Sequence, residues 1–463
     1  MSASQELVDA ALAASTADGC VVVADEHTET NLRWAGNALT TNGQMRTRSL
    51  TVISTFDKAT GTSAGVVTRA VSTVDEVANL VRASEAAGRE AEPAEDASPL
   101  VDPYPNDDDW TADAAATSIG VFEGFAPELG AAFEQWRRAD RALYGFAEHH
   151  MSSYFVGTST GLRRRFDQPD GRLELNGKSP DFSRTAWSGL HTRDFADLDV
   201  PRLVDDLAQR LTWAEKRIDL PPGRYETLLP PSAIADLMIY AYWRASARDA
   251  EEGRSVYASG DGGTRIGERP SPHPLTLRSD PAEAGLQCAP FEIATESGGG
   301  SQSVFDNGAP VTPASWITDG TLTDLARSRA WARKTGAAHP RPYVGNLVLD
   351  GGDGGATLDE MVANTERGLL LTCLWYIREV DPQTLLLTGL TRDGVYLVEN
   401  GQVQGVVNNF RFNESPIDLL GRIAEVGRTE PTLSREWSDY FRRTAMPALR
   451  IPDFNMSTVS QAS

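Results

Sequence analysis

The chain has 463 residues, a formal net charge of −22 and a pI near 4.7. That length exceeds one ordinary domain and points to two. The charge argues against binding to a phosphate backbone, which needs clustered Lys and Arg, and against an anionic membrane surface.

Hydrophobic content of 40% is enough for real cores, and 23% charged residues is ordinary. The acidity itself is read as a means of solubility. Three cysteines, Cys20, Cys288 and Cys373, show no CxxC spacing, which fits reduced thiols in a cytoplasmic protein. Each reads as a small buried hydrophobe rather than a nucleophile. The opening MSASQELVDAALAAS lacks the basic region and apolar core of a signal peptide. No apolar run reaches the roughly 18 residues of a membrane span. The expected location is cytoplasmic. No internal repeat of solenoid period is found.

In chain order, Gln5–Ala14 has Leu7, Ala10, Ala11 and Ala14 at helical spacing. Candidate strands follow at Cys20–Glu26, Thr30–Trp34, Met45–Phe56 and Thr62–Ala70. Thr73–Ala86 reads as a helix, with Thr73 as N-cap and Val74, Val77, Leu80 and Val81 on one face. Ala87–Asp109 is acidic and Pro-rich, and is read as a surface excursion rather than a domain boundary. Helical spacing returns over Phe125–Ala142. Ser152–Val156, Leu162–Gln168 and Gly171–Leu175 suggest a meander, with Gln168-Pro169-Asp170-Gly171 as its turn. Pro201–Thr212 is another helix. Leu220-Pro221-Pro222-Gly223 breaks the pattern, and a strand and helix follow in RYETLLPPSAIADLM.

These elements predict an α+β protein. Residues 1–220 form an α/β domain with an antiparallel sheet. Residues 221–463 form a β-rich, barrel- or sandwich-like domain with peripheral helices.

Gly368–Pro416 is the most informative stretch. It holds an apolar run (Leu369 to Leu371), a second one (Leu385 to Leu387), the turn candidate Arg392-Asp393-Gly394, and VYLVE and QVQGVV around Asn400-Gly401. Asn-Gly between alternating runs is a strong short-range hairpin signal, because both residues tolerate the positive φ of a type I′ turn. Val395–Glu399 and Gln402–Val407 should therefore pair as antiparallel strands.

The segments Thr388-Gly389-Leu390-Thr391-Arg392-Asp393-Gly394, Val398-Glu399-Asn400-Gly401-Gln402 and Asn409-Phe410-Arg411 occur in that order. In order and content they resemble the C-terminal domain of the TldD/PmbA family, most closely its TldE (PmbA) branch. The likeness extends to CVVVADEHTETNLRWAGNALTTNG near the start and to SSYFVGTSTGLRRRFDQ in the middle. The resemblance implies a heterodimeric metalloprotease, one TldD-type and one TldE-type subunit, acting on peptides or unfolded segments. The family's older label, modulator of DNA gyrase, gains no support from the charge of this chain.

In the TldD branch, the resemblance places H-E-x-x-x-H on the helix after residue 220, with a distant cysteine as third zinc ligand. A zinc protease needs three ligands, an open position for water and a carboxylate base. Here Met238 and Trp243 stand in the two histidine places and Ile239 in that of the glutamate, a register anchored by Ser255-Val256-Tyr257. No cysteine follows Cys373. The expectation is therefore no catalytic residue and no metal ligand in this chain, and zinc in a TldD-type partner.

Other candidates carry two readings each. Glu148-His149-His150 is either a metal corner or structural, and adjacent histidines on a strand point to opposite faces. Gly298 to Gly300 and Gly351 to Gly355 resemble phosphate loops only superficially and read as flexible loops. Arg163-Arg164-Arg165 alternates sides in a strand, and reads as ion-paired or solvated. Arg392 and Asp393 either line a peptide cleft or fix a turn. Asn408, Asn409 and Arg411 either bind a peptide backbone or pack at a ladder edge. These five are the candidate substrate-binding residues.

Two functions follow. One is a non-zinc subunit that shapes the substrate channel of a heterodimeric protease, with the isolated chain as a possible homodimer. The other is a stand-alone peptide-binding or scaffold protein. A weaker third is a cysteine hydrolase built on Cys373.

Overall fold

Alternation of apolar and polar residues lets one long sheet bury both of its faces in different ways. The structure is a computed structural model that describes residues 3–102, 107, 109–297, 301–351 and 354–461. Helix α1 (Ser4–Ala14) leads into strands β1 (Gly19–Ala35), β2 (Ala38–Lys58) and β3 (Gly61–Ala70). Helices α2 (Val74–Glu90) and α3 (Phe125–Arg138) precede β4 (Ala142–Thr158), β5 (Arg163–Lys178), β6 (Thr185–Thr192) and helix α4 (Val200–Trp213). The six strands form an antiparallel sheet in the order β3-β2-β1-β4-β5-β6.

One face of this sheet carries the helices. Cys20, Val22, Ala24, Leu50 and Val52 pack under α1 and α2, and Leu32, Trp34, Leu173 and Leu175 under α3 and α4. The alternate residues face the second half of the chain. Val21, Val23 and Val156 meet Phe291, Val304 and Phe305 there. Further along the same face come Asp25, His27 and Glu29 of β1, then Glu148 and His150 of β4, in register with them.

Two sequence expectations are corrected here. The two candidate strands at Cys20–Glu26 and Thr30–Trp34 are one strand, because the polar DEHTET run alternates between faces without breaking the ladder. Gln168-Pro169-Asp170-Gly171 is not a turn but the middle of β5, with Gln168 opposite Ser152 and Gly171 opposite His149. Pro169 is tolerated because β6 begins to pair only at Gly171, so its missing N–H faces an open edge. Part of the acidic segment lies outside the described residues. Its Asp107 and Asp109 pair with Arg164 and Arg165, and Arg163 pairs with Asp9.

The second sheet begins with β7 (Arg217–Ile218) and β8 (Gly223–Leu229). After helices α5 (Pro231–Trp243) and α6 (Ala247–Glu251) come β9 (Thr276–Ser279), β10 (Ala314–Thr318), β11 (Thr321–Leu322), helix α7 (Arg329–Thr335), β12 (Leu347–Asp350) and helix α8 (Leu358–Ala363). Strands β13 (Arg367–Asp381), β14 (Leu386–Glu399), β15 (Gln402–Val407) and β16 (Phe410–Glu414), helix α9 (Pro416–Leu420), β17 (Glu425–Thr432) and β18 (Thr444–Val459) complete it. The order is β11-β10-β9-β12-β18-β8-β13-β14-β15-β7, with β16 paired to β14 and β18, and β17 to β18. Parallel pairs β12·β18, β8·β13 and β7·β15 make it a mixed sheet.

Helix α5 is apolar on all sides and differs from its peripheral neighbours accordingly. Ala233, Ile234, Leu237, Met238, Ile239 and Tyr242 sit in the main core with Leu369, Leu371, Met446 and Leu449 from the sheet.

The β14–β15 hairpin forms as expected, with Glu399 opposite Gln402 and φ of 49° at Asn400 and 75° at Gly401. The turn expected at Arg392-Asp393-Gly394 is instead a bulge inside β14, where Asp393 (φ 52°) and Gly394 (φ 120°) together oppose Thr372. Turns and bulges demand the same positive-φ residues, so the sequence cue does not separate them. Gly298 to Gly300, Gly352 and Asp353 lie outside the described residues.

Candidate functional site

The bulge in β14 points Asp393 out of its own sheet toward the first one. Asp393 Oδ1 accepts from Thr185 Oγ1 of β6 at 3.0 Å. Between the sheets at this place lies a cavity of about 1000 Å³. Its walls bring together Arg392 and Asp393 of β14, Asn408 and Asn409 of the β15–β16 link, Phe182 of the β5–β6 turn, Thr185 of β6, and Arg435 of the β17–β18 loop. Four of the five candidate substrate-binding residues thus meet in one place. Arg411 does not: its guanidinium donates to Thr388 Oγ1 at 3.3 Å, on the ladder and outside the cavity walls.

Arg435 anchors the cavity. Its guanidinium lies against the rings of Trp187 and Trp375, 4.9 Å from each centroid, a stacking that a planar cation supports and an ammonium does not. It pairs with Glu174 of β5 and stands 3.7 Å from Asp393. Trp187 Nε1 donates to the same Glu174 at 3.0 Å. Arg392 lies over Trp375 at 5.5 Å. The result is a polar cleft with aromatic walls and charges of both signs.

Three buried polar atoms here have no protein hydrogen-bond partner: Asp393 Oδ2, Asn408 Nδ2 and Arg435 Nε. Buried polar atoms are nearly always paired, so such orphans need a reason. All three lie beneath the cavity surface, and Asp393 Oδ2 stands 3.7 Å from the guanidinium groups of both Arg392 and Arg435. Asn408 is otherwise fixed, its Oδ1 accepting the Leu220 N–H at 2.7 Å. Thr391 Oγ1 donates to Asn409 Oδ1 at 3.3 Å.

Arg435 was not legible as a site residue, because its loop carries no recognised motif. The only cue was the density of aromatic and basic residues in SREWSDYFRR. That loop is tied down on both sides. Asp236 of α5, wholly buried, accepts the backbone N–H groups of Arg435 and Glu436, and its carbonyl takes Trp437 Nε1 at 2.9 Å. Arg442 pairs with Glu148 at 2.7 Å, and Arg172 with Glu148 and Asp439 at 2.9 and 2.7 Å. Burial would push the Glu148 carboxyl up, but His150, Arg172 and Arg442 outweigh it and hold it at about 2.

On α5, Met238 and Ile239 are fully buried in the core. Trp243 stacks with Tyr240 and Trp437. A thioether sealed in an apolar core, an aliphatic chain and an indole do not fit a zinc centre with an open water position. No metal step can be derived at this helix. Cys373 is also fully buried, its Sγ 3.4 Å from the Arg392 carbonyl, and burial pushes its thiol well above the usual range. It offers no thiolate for hydrolysis. His149 and His150 point to opposite faces as expected. His149 bonds Thr117 and the Arg193 carbonyl, while His150 meets His27 of the adjacent strand.

The model of the PmbA/TldA metallopeptidase C-terminal domain matches residues 222–458, more than half of the chain, including the strands that carry the bulge and hairpin. The chain belongs to the TldD/PmbA family. Its fold is shared with TldE from Thermococcus kodakarensis, at a TM-score of 0.78 and 16% identity, covering 97% of this chain and 99% of that one. A Thermotoga maritima protein named as a modulator of a DNA gyrase aligns at a TM-score of 0.71 and 16% identity, over 97% and 99%. A Bacteroides thetaiotaomicron protein named likewise aligns at 0.76 and 14%, over 98% of each chain. No curated protein matches the sequence. Among the described residues, no helix of this TldD/PmbA chain is long and apolar enough to cross a membrane.

Proposed function

We propose that this chain is the subunit without catalytic zinc in a cytoplasmic, two-chain metalloprotease of the TldD/TldE kind. Its cleft between the sheets guides an unfolded peptide toward a zinc held by the TldD-type partner. The observation that carries this is the pairing of an intact family fold with an α5 that holds Met238, Ile239 and Trp243 where a protease would need ligands. The mixed polar and aromatic lining, with Arg392, Asn408 and Asn409 on the cavity wall, supports the peptide as the cleft's occupant. A large, substantially apolar contact is expected between the two subunits, as in obligate assemblies.

The test is peptide cleavage by each purified chain and by the mixture, with and without chelator. The expected result is no cleavage by this chain alone and chelator-sensitive cleavage by the mixture. Full activity from the partner alone, unchanged on adding this chain, would overturn the subunit role. Peptide binding by this chain with no complex formed would favour the stand-alone peptide-binding function instead.

A further inference from the structure

Away from the cleft, one group of side chains on the inner face of the first sheet has the layout of a metal site. His27 and Glu29 are two residues apart on β1 and so share a face. The β1–β4 register places His150 opposite Glu29 and Ser152 opposite His27. One ligand atom from each of His27, Glu29 and His150 lies within 4.8 Å of the others.

His27 Nε2 and His150 Nδ1 are 3.1 Å apart. Two nitrogens bound at about 2.0–2.1 Å to one tetrahedral centre stand about 3.3 Å apart. The two rings thus already hold the separation a shared ion requires. Glu29 Oε2 is 4.0 Å from His150 Nδ1, within reach by a small side-chain rotation. The His150 and Glu29 side chains keep 18% and 22% of their surface exposed, which leaves room for a water ligand.

The outer atoms of the three side chains also have neighbours. His27 Nδ1 lies 2.9 Å from Ser152 Oγ. His150 Nε2 lies 3.2 Å from Glu148 Oε1. Glu29 Oε1 accepts from Asn31 Nδ2 at 3.2 Å. His27 and Glu29 are thus held on their far sides by hydrogen bonds, whereas the buried His150 Nε2 has no hydrogen-bond partner and only stands near the Glu148 carboxylate. A serine hydroxyl beside His27 and a carboxylate beside His150 are groups of the kind that orient ligating imidazoles.

We propose that His27, Glu29 and His150 form a binding site for one divalent transition-metal ion of the zinc, cobalt(II) or nickel(II) class. Two imidazoles and a carboxylate suit that class over magnesium or calcium. The site lies on the first sheet and shares no residue with α5 or the cleft. It stands or falls independently of the subunit role proposed above. The ion would tie β1 to β4 beside the Glu148–Arg442 contact with the second half of the chain.

The experiment uses the full chain, stripped with chelator and titrated with Co²⁺ and with Zn²⁺. One saturating equivalent is expected, with the visible absorption of a four-coordinate Co²⁺ centre. His27→Gln and His150→Gln should each lower affinity at least 100-fold. Glu148→Gln should lower it about 10- to 100-fold through His150. His339→Ala, an exposed histidine far along the chain, should leave binding unchanged. Should the glutamine variants fail to fold, broadening of the His27 and His150 ring resonances of the wild-type chain by Co²⁺ decides the matter. No saturable binding, binding unchanged in both His27→Gln and His150→Gln, or Co²⁺ broadening of other histidines alone overturns the proposal.

Discussion

The Asp236 carboxylate accepts the backbone N–H of Glu436 at 2.9 Å across 200 residues of chain. Glu436 in turn accepts the N–H groups of Tyr376 and Ile377, at 2.7 and 3.0 Å, where Tyr376 is held at φ 55°. A single buried acid thus fixes the loop that carries Arg435, and the loop fixes an irregular point of β13. Asp236→Ala strands two buried donors, each costing about 1–3 kcal/mol. A total loss of about 2–6 kcal/mol is expected in urea unfolding, with a smaller loss for Asp236→Asn, which keeps one acceptor. A loss equal for both variants would show that the acceptor oxygen is not what matters.

The hairpin at Asn400-Gly401 gives a sharper local test. A Cβ on Gly401 would stand 2.4 Å from the Ala363 carbonyl oxygen, on a backbone at φ 75°. Gly401→Ala should cost about 2 kcal/mol or more, from strain and clash together. Asn400→Gly should be tolerated within about 1 kcal/mol. Thermal unfolding of the two variants side by side checks the contrast.

These two tests mark what sequence could and could not reveal. The hairpin was legible because Asn-Gly with flanking alternation is a local code. Four cleft residues were legible only through their motifs, and Arg411, from the same motifs, packs elsewhere. Pro169-Asp170-Gly171 carried turn chemistry but sits mid-strand, since the long antiparallel ladder overrides the local preference. His27 and His150 were opaque: 123 residues apart, they meet only through strand register. The residue types at Met238, Ile239 and Trp243 are legible from sequence alone, but their packing in the core or against Trp437 is not.

Glu292 predicts a pH dependence. Burial pushes its carboxyl well above the usual range, with Asp306 adding to the effect and Arg329 opposing it. A carboxyl raised in the folded state binds its proton more tightly folded than unfolded. Its stabilising contribution is full below the unfolded value of about 4.3, and is lost as pH rises through the folded value. Glu292→Gln should therefore remove part of the fall in stability above about pH 4.3, and leave stability at lower pH nearly unchanged. Unfolding midpoints from pH 4 to 8 for both proteins test this, and parallel curves would refute it.

Arg435 tests the join between the halves. Removing one partner of a buried pair costs about 3–5 kcal/mol. Arg435 keeps 13% of its side-chain surface exposed and Glu174 keeps other partners, so about 2–3 kcal/mol is expected for Arg435→Ala. Arg435→Lys should recover little of it, because an ammonium cannot stack between Trp187 and Trp375 as a guanidinium does. Denaturant unfolding of both variants gives the comparison, and full rescue by lysine would remove stacking from the account.

The last prediction concerns the cleft's occupant. If an extended peptide lies between the sheets, Asp393 and Asn408 are on the wall it meets. A hydrogen bond to a charged acceptor is worth about 1.5–3 kcal/mol. Asp393→Asn keeps the size and the Thr185 contact but removes the charge, so a labelled unstructured peptide should bind about 10- to 100-fold more weakly. Asn408→Ala should weaken it about 5-fold, the worth of a neutral hydrogen bond. Arg411→Ala, whose side chain lies off the cavity, should leave affinity unchanged while its fold remains intact. Fluorescence anisotropy on the full chain reads all three, with circular dichroism as the folding control. Equal weakening by Arg411→Ala and Asp393→Asn would place the peptide outside this cleft.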